Sequence, residues 1–399
     1  SDSSSEDLLY SISELRQIIR TNSIDFVHIH PFTSIIPGAI AAELENIPFS
    51  ITFHGPASLA EYYGPVHDFL VKSLILPIAD LVVAVSTETE KLLLNYADKD
   101  SIVVIPNSVN FEPLLNIETK KIELNPHWLI ASRLDNFKIV GVLDFCIKAK
   151  LAGISNVLVA GDGPAKEDLS RMLSEHGLDG YVTLLGASSD MNALMRNASG
   201  VAGMGRVLLE AIALKKPFVL VGYDGVKGVV DPELLTRATD ENFSGRGLPT
   251  INIETLSEQL QTKVTDINTL KVYSLAEIKF NNLPNWSNFL NQLHPLSRSK
   301  STALIGLYNS ISLNLIDLKT PYLYSEDLLN KLQAFVSGKK HFEPRLAHAL
   351  TLTRQRLQSE FIKKTSLERD GQIINLNQSL TERDGQIINL NQSLTERDG

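Results

Sequence analysis

A buried strand, a glycine loop and an amphipathic helix follow one another in residues 156–176, which read NVLVAGDGPAKEDLSRMLSEH. Apolar residues dominate Asn156–Ala160, as in a strand that is covered on both faces. In Ala165–His176 the apolar residues recur at helical spacing. Strands that alternate with helices in this way form parallel sheets. The stretch therefore predicts a doubly wound α/β domain.

The same alternation extends in both directions along the chain. The predicted helices include Leu8–Ile19, Ile35–Leu44, Val66–Ile78, Thr87–Tyr96 and Ala165–His176. The predicted strands are Asp25–His30, Pro48–Phe53, Leu81–Val85, Ile102–Ile105, His127–Ala131, Asn156–Ala160, Val182–Leu185, Gly200–Ala202 and Pro217–Val221. A polar stretch at 112–125, without apolar periodicity, separates the first four strands from the rest. We interpret it as a hinge between two domains.

The pattern divides the chain into four parts. Residues 1–125 form a first doubly wound domain, and residues 126–290 form a second. Residues 291–365 are a helical extension, and residues 366–399 are a tail. Because the first domain opens on a helix and has only about four strands, at the small end of sheet sizes, we expect it to be incomplete at its start.

The tail contains a repeat of 14 residues, in which Glu368–Thr381 recurs at Glu382–Thr395. This period is two heptads, and one heptad position is always apolar: Ile373, Leu380, Ile387 and Leu394. Such a pattern predicts a parallel coiled coil that makes the protein a homo-oligomer. The alternative is a single solvated helix. The coil could also act as a spacer to a further domain.

Composition excludes several classes of protein. A net charge of -9 gives no overall basic field for nucleic acid. The single cysteine, Cys146, cannot form an internal disulfide, and no Cys/His cluster has zinc-ligand spacing. The most apolar stretch, Phe69–Val85, is interrupted by Lys72 and Asp80 and is too short to span a bilayer. We expect a cytoplasmic protein, and any association with the membrane would have to be peripheral, at the inner face.

Two cations follow the first strand of the second domain. Arg133 and Lys138 lie five residues apart in Ser132–Lys138, at a strand end where open parallel sheets bind ligands. An arginine fork and a lysine ammonium together could bind a diphosphate. Taken alone, the pair could equally be two surface charges.

Two further loops follow strands of the same domain. The first is Gly161-Asp162-Gly163-Pro164, although Asp162 could serve only the turn. The second is Gly203-Met204-Gly205-Arg206, which leads into a helix and predicts an anion site of free backbone amides. Glu210, about one turn into that helix, could accept hydrogen bonds from a ribose.

These motifs resemble the family 4 glycosyltransferases from about Asp25 to Glu233. The matching segments are Asp25–His30, Phe53-His54-Gly55, Ala79-Asp80, Ala84-Val85-Ser86, Ile105–Val109, Ser132-Arg133-Leu134 with Lys138, Gly161–Pro164 and Gly205–Ala211. The resemblance implies a GT-B fold, in which two Rossmann-like domains face a cleft. It also implies a nucleotide-sugar donor bound to the second domain and transfer with retention of anomeric configuration.

The resemblance also implies roles for individual residues. Arg133 and Lys138 would stabilise the leaving diphosphate in place of a metal, so that no cofactor is needed. Glu210 would bind the ribose, and His54 would lie in the cleft as a catalytic residue. The expected donor-binding residues are Arg133, Lys138, Gly161, Gly163, Gly203, Met204, Gly205, Arg206 and Glu210. The family usually has a sugar-contacting glutamate eight positions before Glu210, where this chain has Ala202, and we interpret the difference as a variant site.

Several alternatives stay open from the sequence. His28 and His30 lie on one side of a strand and could bind a metal, but no third ligand is evident. The leading prediction is a transferase that modifies a glycan or lipid-linked glycan acceptor in surface polysaccharide synthesis. The second is a catalytically degenerate scaffold module that the coil assembles with other enzymes. Epimerisation and phosphorolysis are weaker, because their carboxylates and pyridoxal-phosphate lysine are not found.

Overall fold

The computed structural model describes residues 5–31, 33–59, 64–112, 126–281, 287, 289–290, 301–312 and 326–337. The predicted coiled coil at 366–399 lies outside these residues, as does almost all of the predicted hinge at 112–125. The homo-oligomer therefore stays a prediction. No described helix has the length and apolar character needed to cross a membrane.

The first domain is a four-stranded parallel sheet packed against helices. Its strands lie in the order β1-β2-β3-β4: β1 (Val27–Ile29), β2 (Phe49–Phe53), β3 (Leu81–Ala84) and β4 (Ile102–Val104). The α-helices between them are α1 (Ser5–Thr21), α2 (Ile35–Glu45), α3 (Pro65–Leu70) and α4 (Thr87–Leu93). Every residue of β2 is buried. The sequence of β2 alternates apolar and hydroxyl residues, and Ser50 and Thr52 are buried along with the three apolar side chains.

The predicted helix at Val66–Ile78 forms, but it changes type along its length. After α3 comes a π-helical turn at Val71–Ile75 and then a 3₁₀ turn at Leu76–Ile78. Pro77 has no backbone N–H to continue the α-helical pattern, which favours the change near the end. The π-helical turn carries Lys72, whose side chain is exposed.

The second domain has a six-stranded sheet with the order β10-β9-β8-β5-β6-β7. Its strands are β5 (Trp128–Ala131), β6 (Val157–Ala160), β7 (Val182–Gly186), β8 (Gly200–Gly203), β9 (Phe218–Val221) and β10 (Val226–Val229). Its helices are α5 (Ile139–Leu151), α6 (Lys166–Glu175), α7 (Met191–Asn197), α8 (Arg206–Ala213), α9 (Pro232–Thr239), α10 (Ile253–Lys263) and α11 (Asp266–Phe280). All neighbouring strands are parallel except β10, which runs antiparallel to β9. The predicted α/β class with two parallel-sheet domains is confirmed.

Strand β10 was not predicted from the sequence. It has only four residues, and two of them, Lys227 and Gly228, are disfavoured in strands. Pairing with β9 nevertheless buries all four. The register slips between Val226 and Gly228, so the strand is irregular as well as short.

The region predicted as a helical extension contains α12 (Thr302–Ser312) and α13 (Glu326–Val336). Their buried side chains, including Leu304, Leu307 and Leu332, join the core of the first domain. The chain therefore returns from the second domain to complete the packing of the first.

Candidate functional site

Three loops of the second domain start level with one another at the carboxyl edge of the sheet. Ala131, the last residue of β5, is in register with Ala160 of β6 on one side and Gly203 of β8 on the other. The loops that follow these strands hold the predicted donor-binding residues. The topology thus brings together motifs that lie up to about 70 residues apart in the sequence, as open parallel sheets do at a ligand site.

The loops after β5 and β6 are interlocked through their backbones. The amide of Leu134 donates to the Asp162 carbonyl at 3.0 Å, and the amide of Ala165 donates to the Leu134 carbonyl at 2.9 Å. A Cβ atom on Gly161 would lie 1.8 Å from the Ser132 carbonyl oxygen. On Gly163 it would lie 2.4 Å from that of Leu134. Both positions therefore exclude any side chain, which explains the two glycines.

Asp162 serves the turn within this interlocked pair. Its Oδ1 accepts a hydrogen bond from the amide of Gly163 at 2.9 Å, and the side chain also lies 3.8 Å from Lys166 Nζ. The local hydrogen bond is the turn role that the sequence left open.

The two predicted diphosphate ligands lie on the loop after β5 but differ in their surroundings. Arg133 has a side chain that is 73% exposed, and its Nε lies 3.1 Å from Asp135 Oδ1. Lys138 is half-buried at the start of α5, and among the described residues it forms no ion pair. Because an exposed ion pair is weak, Arg133 can exchange Asp135 for a ligand anion.

The loop between β8 and α8 has only two residues, Met204 and Gly205. Gly205 precedes α8 with a φ of 66°, a conformation that suits glycine. Its amide donates to the carbonyl of Phe243 at 2.9 Å. The prediction of a wholly free set of amides at this helix start is therefore wrong for Gly205, because a carbonyl from another loop already occupies its N–H.

Ala202, which stands where the family usually has a glutamate, lies inside β8. It is fully buried and packs into the core. The side chain at this position is therefore enclosed by the core of the second domain.

Glu210 and Arg206 bind each other on the first turns of α8. Arg206 Nε donates to Glu210 Oε1 at 2.8 Å, with side chains that are 72% and 23% exposed. Glu210 thus keeps its second carboxylate oxygen for another donor. Arg206 is exposed and can move without disturbing the core.

A fourth loop, after β9, joins this edge and was not identified from the sequence. Gly141 in α5 packs so closely on it that a Cβ atom would lie 2.0 Å from the Gly222 carbonyl oxygen. Lys227 holds this loop in place, and its side chain is 0% exposed. Its Nζ donates to Leu248 O at 2.7 Å and lies 2.6 Å from Asp224 Oδ1. No sequence pattern marks this lysine, because its role depends on burial between two loops, which only the structure shows.

His54 lies on the first domain within a cluster of three histidines. Its Nε2 is 2.8 Å from His30 Nδ1, and the His30 ring lies 4.3 Å from that of His28. His28 Nε2 is 2.7 Å from Thr52 Oγ1. Burial, together with the charges of His30 and His54, lowers the pKa of His28 to about 4. Burial also lowers the pKa of His30 and His54, so the cluster is neutral near pH 7.

The second domain contacts His54 directly, because Asn242 Nδ2 donates to the His54 carbonyl at 3.3 Å. The predicted cleft residue of the first domain therefore lies at the junction of the two domains. Within the described part of the chain, no group of three or more His, Cys, Asp or Glu side chains is arranged to hold a metal ion.

Comparison with known proteins identifies the family. Residues 2–112 match the profile of glycosyltransferase family 4, and residues 126–244 match that of glycosyl transferases group 1. The chain is a family 4 glycosyltransferase. The two matches together span more than half of this glycosyltransferase and meet near the predicted hinge. No curated protein sequence matches it.

Solved structures confirm the GT-B fold. The glycosyltransferase is similar to HepE of Anabaena in complex with UDP, at 19% identity over 71% of this chain and 81% of that one, with a TM-score of 0.53. It is also similar to a glycosyltransferase from Rickettsia africae, at 19% identity over 77% and 82% of the two chains, with a TM-score of 0.52. At this identity the likeness shows the fold alone.

Proposed function

We propose that this glycosyltransferase moves a sugar from a nucleoside-diphosphate donor to a glycan acceptor, with retention of anomeric configuration. The observation that carries the proposal is the meeting of three loops at one sheet edge, with Arg133 and Lys138 on the loop after β5. Two cations at the carboxyl edge of a parallel sheet suit a diphosphate. HepE, whose fold is similar, has been solved with UDP and with UDP-glucose.

The transfer exchanges one C–O bond for another. The bond from the anomeric carbon to the diphosphate oxygen breaks, and a bond from that carbon to the acceptor oxygen forms. The acceptor hydroxyl proton passes to the leaving diphosphate, so no protein nucleophile is required. Arg133 and Lys138 would stabilise the negative charge that develops on the diphosphate. In our proposal these cations take the part that a divalent metal has in other transferases.

Glu210 would hold the ribose through the carboxylate oxygen that Arg206 does not use. His54, being neutral near pH 7, could accept a hydrogen bond from a sugar hydroxyl or donate one to it. Because Ala202 is buried in β8, the donor sugar needs another polar contact. Asp224 on the loop after β9 is 62% exposed and lies at the same edge, which makes it our candidate.

In our proposal the acceptor side is the first domain, where a groove of about 510 Å³ is lined in part by Pro56, two residues beyond His54. Helix α3, helix α4 and helix α13 form its walls. Tyr96 offers an aromatic face, while Lys72, Asp68 and Gln333 offer donors and acceptors. This mixture suits a neutral saccharide, whose faces are apolar and whose edges carry hydroxyls. We propose a glycan acceptor, in surface polysaccharide synthesis at the inner face of the membrane.

The scaffold alternative is favoured by one observation, the presence of Ala202 at the position where the family usually has a sugar-contacting glutamate. A scaffold would not need to keep Arg133 and Lys138 for a diphosphate or Glu210 for a ribose. Catalysis therefore remains the function that the geometry supports best.

Donor hydrolysis followed by NMR tests the proposal. UDP-glucose, UDP-galactose, UDP-N-acetylglucosamine and GDP-mannose are each incubated with the protein in EDTA, and the anomer that forms first is recorded. We expect one donor to be cleaved with retention, and the Arg133→Ala, Lys138→Ala double variant to lose the reaction. Release of the inverted anomer would contradict retention. No cleavage of any donor by a folded protein would favour the scaffold.

A further inference from the structure

The segment at 240–247, here called the bridging segment, connects the donor site to the first domain. It follows α9 and contains two non-glycine residues with positive φ, Asn242 at 53° and Phe243 at 58°. Positive φ is uncommon for residues other than glycine, and for a bulky residue it is strained. Phe243 is held in place by burial and by an edge-on contact with Phe280, at 5.2 Å between ring centroids.

On one side the bridging segment contacts the donor loop. The carbonyl of Phe243 accepts the amide hydrogen of Gly205 at 2.9 Å. Gly205 is the residue before α8, so the bridging segment is hydrogen-bonded to the donor loop at the point where that helix starts.

On the other side Asn242 contacts two loops of the first domain. Its Oδ1 accepts from Asn107 Nδ2 at 2.7 Å, and its Nδ2 donates to the carbonyl of His54 at 3.3 Å. Asn242, which contacts the predicted catalytic histidine, is thus the direct chain neighbour of Phe243, which contacts Gly205.

Arg246 and Asp240 reinforce this contact at the start of α4. Arg246 Nε donates to Glu88 Oε1 at 3.2 Å, and Nη2 donates to the second oxygen of the same carboxylate. The amide of Glu88 donates to the Asp240 carbonyl at 2.9 Å, and Thr87 Oγ1 donates to Asp240 Oδ1 at 3.3 Å. A two-point arginine–carboxylate pair is directional, so it holds one relative placement of the domains.

We propose that Asn242 and Arg246 are positioning residues, which bind the first domain when the cleft is closed and transmit that contact through the Phe243 carbonyl to Gly205. The donor loop then has its ligand-binding shape only while the domains are together. Because such coupling is reciprocal, donor binding also favours closure. The inference rests on the proposed function, since it assigns the loop between β8 and α8 to the donor.

A charge exchange tests the role of Arg246. The single variants Arg246→Glu and Glu88→Arg each place like charges together, and the double variant restores the pair with the charges reversed. We expect each single variant to weaken UDP binding about tenfold, as is typical of coupled sites, and the double variant to recover most of the loss. Arg237→Glu, on an exposed arginine of α9 that makes no ion pair among the described residues, is the matched control.

Asn242→Gly tests the second positioning residue without a risk to folding, because glycine accepts the same φ. Loss of the hydrogen bonds to Asn107 and His54 should lower the melting temperature without ligand, and we expect the rise in melting temperature on adding UDP to become smaller as well. A residue with only a structural role would lower the first value and leave the rise intact.

The outcomes separate the inference from the proposed function. If the wild-type protein binds UDP and all the variants match it, the bridging segment does not position the donor loop and the inference is wrong. A double variant as weak as the two single variants combined would also overturn it. If the folded wild-type protein binds neither UDP nor GDP, the proposed function itself fails.

Discussion

Replacing Gly161 with alanine is expected to separate the two interlocked loops at the donor site. The new Cβ atom would lie 1.8 Å from the Ser132 carbonyl oxygen and 2.8 Å from its carbon. Both atoms belong to backbone, so neither can swing aside as a flexible side chain would. The φ of 146° at this position adds strain for any residue with a side chain. The substitution must therefore displace Ser132 and, with it, Arg133.

The size of the effect follows from these two contributions. Strain at positive φ costs about 1–3 kcal/mol, and overpacking against backbone costs typically about 1–3 kcal/mol more. We expect a loss of about 4 kcal/mol, which corresponds to a melting temperature about 10 °C lower for a domain of this size. Because Arg133 moves with its loop, UDP affinity should fall as well.

Gly153→Ala is the matched control, since Gly153 also has a positive φ, 82°, but no atom within 4 Å of its would-be Cβ. It should show the strain alone, about 2 kcal/mol, and unchanged UDP affinity. Thermal unfolding and calorimetric titration of both variants provide the comparison. Equal melting temperatures for the two variants, with equal UDP affinity, would refute the close approach of the two loops.

Three further predictions concern other parts of the molecule. Lys227→Met removes the hydrogen bond to the Leu248 carbonyl and the pair with Asp224. We expect it to lower the free energy of unfolding by about 2 kcal/mol in urea titrations and to weaken donor binding. Unchanged values would contradict the role of Lys227 in holding the loop after β9. His28 has a pKa of about 4 when folded and 6.5 as its ordinary value, so the unfolded chain takes up the proton first and stability falls as the pH drops from 6.5 towards 4. His28→Gln should reduce that fall by about 2 kcal/mol in urea titrations at pH 7 and 4.5, whereas an identical fall would show that the histidine is not shielded. Tyr96→Ala should raise the KM for the glycan acceptor several-fold and leave donor hydrolysis unchanged. An unchanged acceptor KM would show that the groove does not bind the acceptor.

The fold was largely predictable because apolar runs and helical periodicity are local properties of the sequence. Among the residues that the structure describes, nine of the ten strands follow from such runs. Strand β10 does not, because Lys227 and Gly228 are tolerated only through burial against β9 and neighbouring loops. The region at 291–365 was predicted to be helical, but its packing onto the first domain depends on contacts between residues more than 200 positions apart, such as those of Leu304 in the core that contains α1.

The candidate site was predictable in part, for a topological reason. Parallel strands end at one edge, so motifs that follow strands meet there regardless of their separation in sequence. The sequence placed Ala202 at the end of a predicted strand, Gly200–Ala202, but only the structure shows that its side chain is fully buried in the core of the second domain. The bridging segment could not be predicted, because positive φ at Asn242 and Phe243 and the contact of Arg246 with Glu88 arise only when the two domains are in place.

Calorimetric titration of the purified protein with UDP and with GDP, in EDTA and again with magnesium, tests whether Arg133 and Lys138 hold the donor diphosphate without a metal. We expect one of the two nucleotides to bind with the same affinity in both solutions, and the Arg133→Ala, Lys138→Ala double variant to lose this binding while remaining folded. Binding that appears only with magnesium, or that survives in the double variant, would contradict a donor site in which these two side chains hold the diphosphate.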